Sequence, residues 1–179
     1  MERWIVLLRG INVGGHRRLP MADLREAIAD LGGEDVRTIG VSGNVVLSAD
    51  GPSDALEAAV ERLVAERCGV EGVAIVVRSR DELAAVVDGN PFPDAVSEPK
   101  RLQVSFCSAA PAASVAKDVG AIESGRDRVA FRGREVYAHH PDGVQNSKLA
   151  RALTDDRLGV TATARNWNTV TKLLDLADV

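Results

Sequence analysis

Apolar and polar positions fall into two matching series along the chain. "WIVLLRG" is a short apolar run that predicts a strand. In "MADLREAIADLG", Leu24, Ile28 and Leu31 recur at three- and four-residue spacing, which predicts a helix stopped by Gly32. "VRTIGV" and "VVLSA" read as strands joined by "SGN", a hairpin turn for which Gly43 and Asn44 are suited. "SDALEAAVERLVAERCG" predicts a helix capped by Ser53, with Leu56, Val60 and Leu63 in one stripe, and "VAIVVR" predicts a strand. The order is βαββαβ. A helix in "SRDELAAVVDG", capped by Ser79, leads to a connection punctuated by prolines, "NPFPDAVSEPK". The order then repeats: strand "LQVSFC", helix "AASVAKDVG", strands "DRVAFR" and "EVYAHH", helix "SKLARALTDDRLG" and strand "VTATA". A further helix, "NTVTKLLDLA", ends the chain.

This pattern predicts an α+β protein of two tandem ferredoxin-like repeats with a linker helix and a C-terminal helix. The expected divisions are 1–78 for the first repeat, 79–100 for the linker helix and Pro-rich connection, and 101–179 for the second repeat with its terminal helix. One continuous mixed sheet is the alternative. In the first repeat Ile5 and Leu7 alternate with Trp4, Val6 and Leu8, so both faces are apolar and must be covered. The second cover would be the linker helix, the terminal helix or a partner subunit, which leaves room for a homodimer. In the second repeat Leu102, Val104, Phe106, Val129, Phe131, Val136 and Ala138 are expected on one face. Arg101, Gln103, Ser105, Arg128, Arg132, Tyr137 and His139 are expected on the other, as an exposed polar and basic surface.

Strand directions in such a repeat place "INVGG" and "SGN" at one edge of the first sheet. They likewise place "GVQNSKL" and "TARNWN" at one edge of the second. Candidate ligand residues concentrate in these segments. Arg9 ends the first strand, where a guanidinium can hold a carboxylate or phosphate through two bonds. Gly14 and Gly15 permit positive φ and expose successive N–H groups, Asn12 supplies an amide, and His16, Arg17 and Arg18 add charge. The G-x-x-x-G-G spacing is neither a dinucleotide-binding fingerprint nor a P-loop. Ser42 is of interest in the turn beside Asn44, because a turn does not require its hydroxyl. Ser147 is placed to cap a helix, and Lys148 would put a cation in the first turn, where a bound anion would offset the unfavourable dipole. Asn166 or Asn168 is a suitable cap for the last helix, Trp167 is expected in the core, and Val170, Leu173, Leu174 and Ala177 form its buried stripe. Arg165, Asn166, Thr169 and Lys172 remain as polar groups around that helix start.

Composition narrows the classes of function. The chain has 179 residues, 45% of them apolar and 27% charged, with a net charge of −4. That charge opposes a general polyanion coat but allows a local basic patch. The separated Cys68 and Cys107 match no metal-ligand spacing, and His139 and His140 alternate in a strand, so no metal site is expected. Cys107, Ser42 and Ser147 are conceivable nucleophiles, but no base accompanies them and no reaction can be assigned. The first residues lack a signal-peptide cleavage site and no apolar run is long enough to span a bilayer, so a cytoplasmic protein without membrane partners is expected.

"LLRGINVGG", "M-x-x-L-R" followed by "LG", "V-R-T" leading to "SGNVV", "NPF", "DG-x-x-NSKL" and "TARNWNTVTKL" together resemble the bacterial family of domain of unknown function 1697. The resemblance runs from Leu7 to Leu174. Ser108 to Gly125 carry no matching motif, and Ile39-Gly40 stand where the family pattern has Tyr-Ile. It implies a cytosolic two-part α+β protein with no established activity. The resulting expectation is a protein binding a phosphorylated small molecule or nucleotide in a cleft between the repeats, its cofactor unknown. The rivals are an RNA-binding module using the exposed second sheet, with Tyr137 and His139 for stacking, and a structural or dimerisation module without catalysis.

Overall fold

The computed structural model describes every residue of the chain except His16. The described chain forms two four-stranded antiparallel sheets and seven α-helices. It divides into two compact units, Met1–Ala85 together with Thr171–Val179, and Val86–Val170.

The first sheet contains β1 (Glu2–Leu8), β2 (Glu34–Ile39), β3 (Asn44–Ala49) and β4 (Ile75–Ser79) in the order β2-β3-β1-β4. Helices α1 (Met21–Asp30) and α2 (Ser53–Cys68) pack on the face that carries Trp4, Val6, Leu8, Val45, Leu47, Ile75 and Val77. Burial of these branched and aliphatic side chains, each about 1.5–3 kcal/mol, is the main stabilising term of the unit. The opposite face carries Ile5, Leu7, Val46 and Val76, all no more than 1% exposed. The single chain therefore buries the face that the apolar pattern had left available to a partner subunit. Helix α3 (Arg80–Asp88) follows β4 directly. Ser79 Oγ accepts from Glu82 N while Glu82 Oε2 accepts from Ser79 N, a reciprocal cap at the position expected from sequence.

The second sheet contains β5 (Leu102–Cys107), β6 (Arg128–Arg132), β7 (Glu135–His139) and β8 (Ala162–Asn166) in the order β6-β7-β5-β8. Its helices are α4 (Ala113–Gly120), α5 (Lys148–Ala152) and α6 (Asp155–Leu158). The single helix expected over "SKLARALTDDRLG" is broken at Leu153 and Thr154. Thr154 takes an extended backbone and starts a new helix whose first turn holds Asp155 and Asp156, and Asp155 Oδ1 accepts from Ala162 N.

Register corrects the expected faces of this sheet. Leu102 lies opposite His139, Val104 opposite Tyr137 and Phe106 opposite Glu135. Residues directly opposite in an antiparallel pair share a face. The apolar triad of β5 therefore sits with Tyr137, His139 and, through β6, Arg128, whereas Val136, Ala138, Val129 and Phe131 lie on the other face against α4, α5 and α6. Tyr137 is 2% and His139 5% exposed, so the surface expected to be open for stacking RNA bases is closed.

The end of helix α3 and the Pro-rich connection close it. Tyr137 Oη donates to Val86 O, Arg128 pairs with Asp94 and lies over the Phe92 ring, and His139 contacts Glu98. Phe92 and Ala95 are buried on either side of Pro93, the first residue of the 3₁₀ helix Pro93–Ser97. The final helix, α7 (Trp167–Ala177), follows β8 without a loop. Trp167, Val170 and Leu173 are buried, as the stripe predicts.

Candidate functional site

The loop from Gly10 to Leu19 and the turn after β2 meet at one edge of the first sheet. Leu8 N donates to Gly43 O at 2.8 Å, and Asn12 Nδ2 donates to Val41 O at 2.6 Å and to Leu19 O at 2.8 Å. Asn12 Oδ1 also accepts from Leu19 N at 2.8 Å. One side chain thus closes its own loop and ties it to the neighbouring turn. Asn12 has φ +54, a region that asparagine tolerates better than most residues.

The turn is longer than the tight bend expected at Gly43 and Asn44. It runs over Gly40, Val41, Ser42 and Gly43, while Asn44 is the first residue of β3, opposite both Ile39 and Leu7. Asn44 is buried, and its Nδ2 donates to Ile39 O, so part of its role is structural. Gly43 has φ +73, and a Cβ there would lie 2.6 Å from Leu8 Cβ. Glycine is required both by conformation and by space.

Gly14 and Gly15 have φ +61 and +79, as the glycine pair predicts. Gly15, Asn12, Arg18, Leu19, Pro20, Met21 and Val41 line a depression of about 480 Å³. It opens at the start of α1, where Pro20 provides no side-chain cap, so the first amides of the helix have no side-chain acceptor. Arg9 is half-buried with its backbone N donating to Ala74 O, while Ser42, Arg17 and Arg18 are exposed. His16 lies outside the described residues.

The second unit arranges its candidates differently. Ser147 caps α5, accepting from Ala150 N at 2.7 Å, and donates to Asp127 Oδ2 at 2.5 Å. The same Asp127 oxygen lies 3.4 Å from Nδ1 of His140, whose side chain is fully buried. Burial holds the His140 pKa below the ordinary histidine value, and Asp127 opposes that shift. Ser147 and Lys148 line a cavity of about 200 Å³ together with Glu123, Asp127 and Asp142. Carboxylates dominate that lining, which disfavours the anion expected beside Lys148.

Arg165 is 9% exposed on the face of the second sheet that carries Val104 and Tyr137. Its Nη1 donates to Thr163 Oγ1 at 2.7 Å and to Ala164 O at 2.9 Å, and burial lowers its pKa to about 10. Asn166 Oδ1 accepts from both N and Oγ1 of Thr169, so Asn166 is the cap of α7 and Thr169 is turned to it. Lys172 is exposed on the same helix.

Two residues of interest, Asp127 and Arg78, were missed in the sequence. Asp127 and His140 lie 13 positions apart and become neighbours only through the β6–β7 hairpin. Arg78, 1% exposed in β4, could have been found by comparison with Arg165. In each unit the last strand has an arginine as its penultimate residue and ends in a capping residue, Ser79 or Asn166, that leads directly into a helix.

Among the described residues no group of three or more His, Cys, Asp or Glu is placed to hold a metal ion, and no helix is long and apolar enough to cross a membrane.

Residues 1–137 match the model of the family described as protein of unknown function DUF1697. The "NSKL" and "RNWNTV" motifs lie beyond that span. A solved structure of a conserved bacterial protein from Streptococcus pneumoniae is similar over 98% of both chains, with a TM-score of 0.78 and 21% identity. At that identity the likeness is one of fold. No curated protein matches the chain. The chain belongs to the DUF1697 family.

Proposed function

We propose that this member of the family binds a small anionic ligand, phosphate-bearing or nucleotide-like, at the loop edge of its first unit. We read each unit as a ferredoxin-like βαββαβ sandwich, supported by the strand orders β2-β3-β1-β4 and β6-β7-β5-β8. The free Cys68 and Cys107 accord with a cytoplasmic protein.

The observation that carries the proposal is the depression of about 480 Å³ bounded by Asn12, Gly15 and Arg18 at the start of α1. Four features there favour negative charge. The first amides of α1 have no side-chain cap, the helix dipole adds to their attraction, Gly14 and Gly15 turn the backbone through positive φ, and Arg18 contributes a guanidinium. Asn12 is the frame of the site, because its amide is engaged by Leu19 and Val41. Leu19, Pro20, Met21 and Val41 give the depression an apolar wall that would suit the non-phosphate part of a nucleotide.

Thermal unfolding with phosphate, pyrophosphate and nucleoside di- and triphosphates tests this. A ligand at about 100 times its Kd stabilises by about 2.7 kcal/mol. The expected result is stabilisation by a phosphate-bearing compound that Arg18→Ala abolishes while the unliganded variant melts as the parent does. Absence of any such stabilisation, or its survival in both Arg9→Ala and Arg18→Ala, overturns the proposal.

A further inference from the structure

We propose that a cavity of about 310 Å³ between the end of α1 and the start of α2 binds a small amphipathic amine, with the hydrocarbon body inside and the ammonium at the mouth.

Small residues make the hollow. Helix α1 stops at Asp30, and the chain then passes Gly32 and Gly33 with no side chain to fill the corner. β3 contributes Ala49 there, and α2 contributes Ala55 and Ala59, four positions apart and so on one face. Three alanines and two glycines therefore meet where larger side chains would close the packing of helix on sheet. The floor is core, since Ile28 and Leu47 line the cavity and are each 1% exposed. Gly33 keeps the chain close to that floor: a Cβ there would lie 3.0 Å from Ile28 Cγ2, Ile28 O and Leu47 Cδ1. Leu31 lines the cavity too, yet is 51% exposed, so a large apolar side chain stands open to water at its edge.

Apolar walls give water few partners, and a hydrocarbon displaces it favourably. An apolar cavity of about 150 Å³ admits benzene. A six-carbon chain therefore has room in about 310 Å³.

Charge at the mouth selects the head group. Asp50 lines the cavity, and its Oδ1 lies 2.9 Å from the Met1 ammonium. The bond to Asp50 chiefly, and the charges of Glu2 and Glu34 as well, raise the pKa of that ammonium. Three carboxylates thus act on one cation, which leaves an excess of negative charge. The carbonyl end of α1 adds to it, because the last turn of that helix holds no basic residue. The positive end of α2 is offset by Asp54, whose Oδ1 accepts from Ala55 N. Arg3, next to Glu2 in β1, projects from the other face of the sheet and pairs with Asp35. A cationic head is attracted here and a carboxylate repelled, which separates an amine from a fatty acid of the same length. The cavity lies at the opposite end of α1 from the depression beside Asn12, so occupancy of one can be read without the other.

Amide NMR titrations of the whole chain at neutral pH with hexylamine, hexanol and hexanoate test this. Hexylamine should shift Ile28, Gly33, Leu47 and Ala59 saturably, with a Kd on the order of 1 mM. Hexanoate should bind about fivefold or more weakly at low salt, the effect of one exposed ion pair, with hexanol between them. Asp50→Asn should narrow the gap between amine and acid while leaving hexanol unchanged. Ala59→Leu should fill the cavity and abolish binding of all three. No saturable shift with hexylamine up to about 20 mM, hexanoate binding as tightly as hexylamine, or undiminished binding in folded Ala59→Leu each overturns the site. Should that variant not fold, the shift map of the parent chain decides the same point: shifts centred away from the end of α1 and the start of α2 overturn it.

Discussion

The side-chain amide of Asn12 donates to the carbonyl of Val41, 29 residues later, at 2.6 Å. This bond joins two loops that the sequence separates by a helix and a strand, and the same amide group exchanges two more bonds with the backbone of Leu19. The loop edge of the first unit is built around that residue.

Asn12→Ala removes three hydrogen bonds and puts alanine at φ +54. The expected loss is about 2–4 kcal/mol, from backbone groups left without partners and from the strained φ. Denaturant unfolding would measure it. A loss below about 0.5 kcal/mol, the size of an ordinary surface substitution, would show that the two loops do not depend on this residue.

Gly43→Ala and Gly40→Ala form a controlled pair. Both positions have positive φ, +73 and +63, but only at Gly43 would the added methyl meet Leu8 and Ile11, at 2.6 and 2.8 Å. Gly40→Ala should cost about 1–2 kcal/mol for the backbone alone, and Gly43→Ala should exceed it by a further 1–3 or so. Equal melting temperatures for the two variants would contradict the packing of this turn on β1.

Tyr137 is the sole tyrosine of the chain, so its phenol can be titrated by ultraviolet absorbance without overlap. Burial chiefly, then the nearby Glu135 charge, raises its pKa to about 12. Its ionisation should therefore begin only in strongly alkaline solution or together with unfolding. An absorbance midpoint at about 10, the ordinary tyrosine value, in protein that retains its near-ultraviolet dichroism would show the phenol open to solvent.

His140 should make the protein less stable in mild acid. Its folded-state pKa lies below the unfolded value of about 6.5, because burial favours the neutral ring. Above that value both states are neutral there and no penalty arises. As pH falls below it, the unfolded chain binds a proton that the folded chain binds only at lower pH, so stability declines between the two pKa values. Urea unfolding at a series of pH values would record the slope, and replacement by a non-titrating residue such as His140→Gln should remove this component. A slope unchanged in that variant would assign the acid sensitivity elsewhere.

Ser147→Ala removes the cap of α5 and the hydroxyl donor to Asp127. A loss of about 1–2 kcal/mol is expected, and Ser147→Thr should recover part of it. The same variant tests function, since the cavity beside Ser147 is acidic: phosphate-bearing ligands that bind at the first unit should keep their affinity.

The sequence by itself determined the order of all eight strands, the capped starts of α3, α5 and α7, and the buried stripe of α7. These follow from neighbours three or four positions apart and from alternation within a strand, which are local properties of the chain. It also foretold the meeting of the 10–19 loop with the 40–43 turn, because strand direction alone puts both at one edge. Tertiary structure decided the rest. Alternation places the residues of one strand on two faces but says nothing of the register to the next, and the pairing of Val104 with Tyr137 moved the tyrosine from an expected open surface to a covered one. Coverage by the Pro-rich connection, the break at Leu153 and Thr154, and the convergence of Asp127, His140 and Ser147 likewise depend on contacts between distant segments, whose energies no local pattern contains.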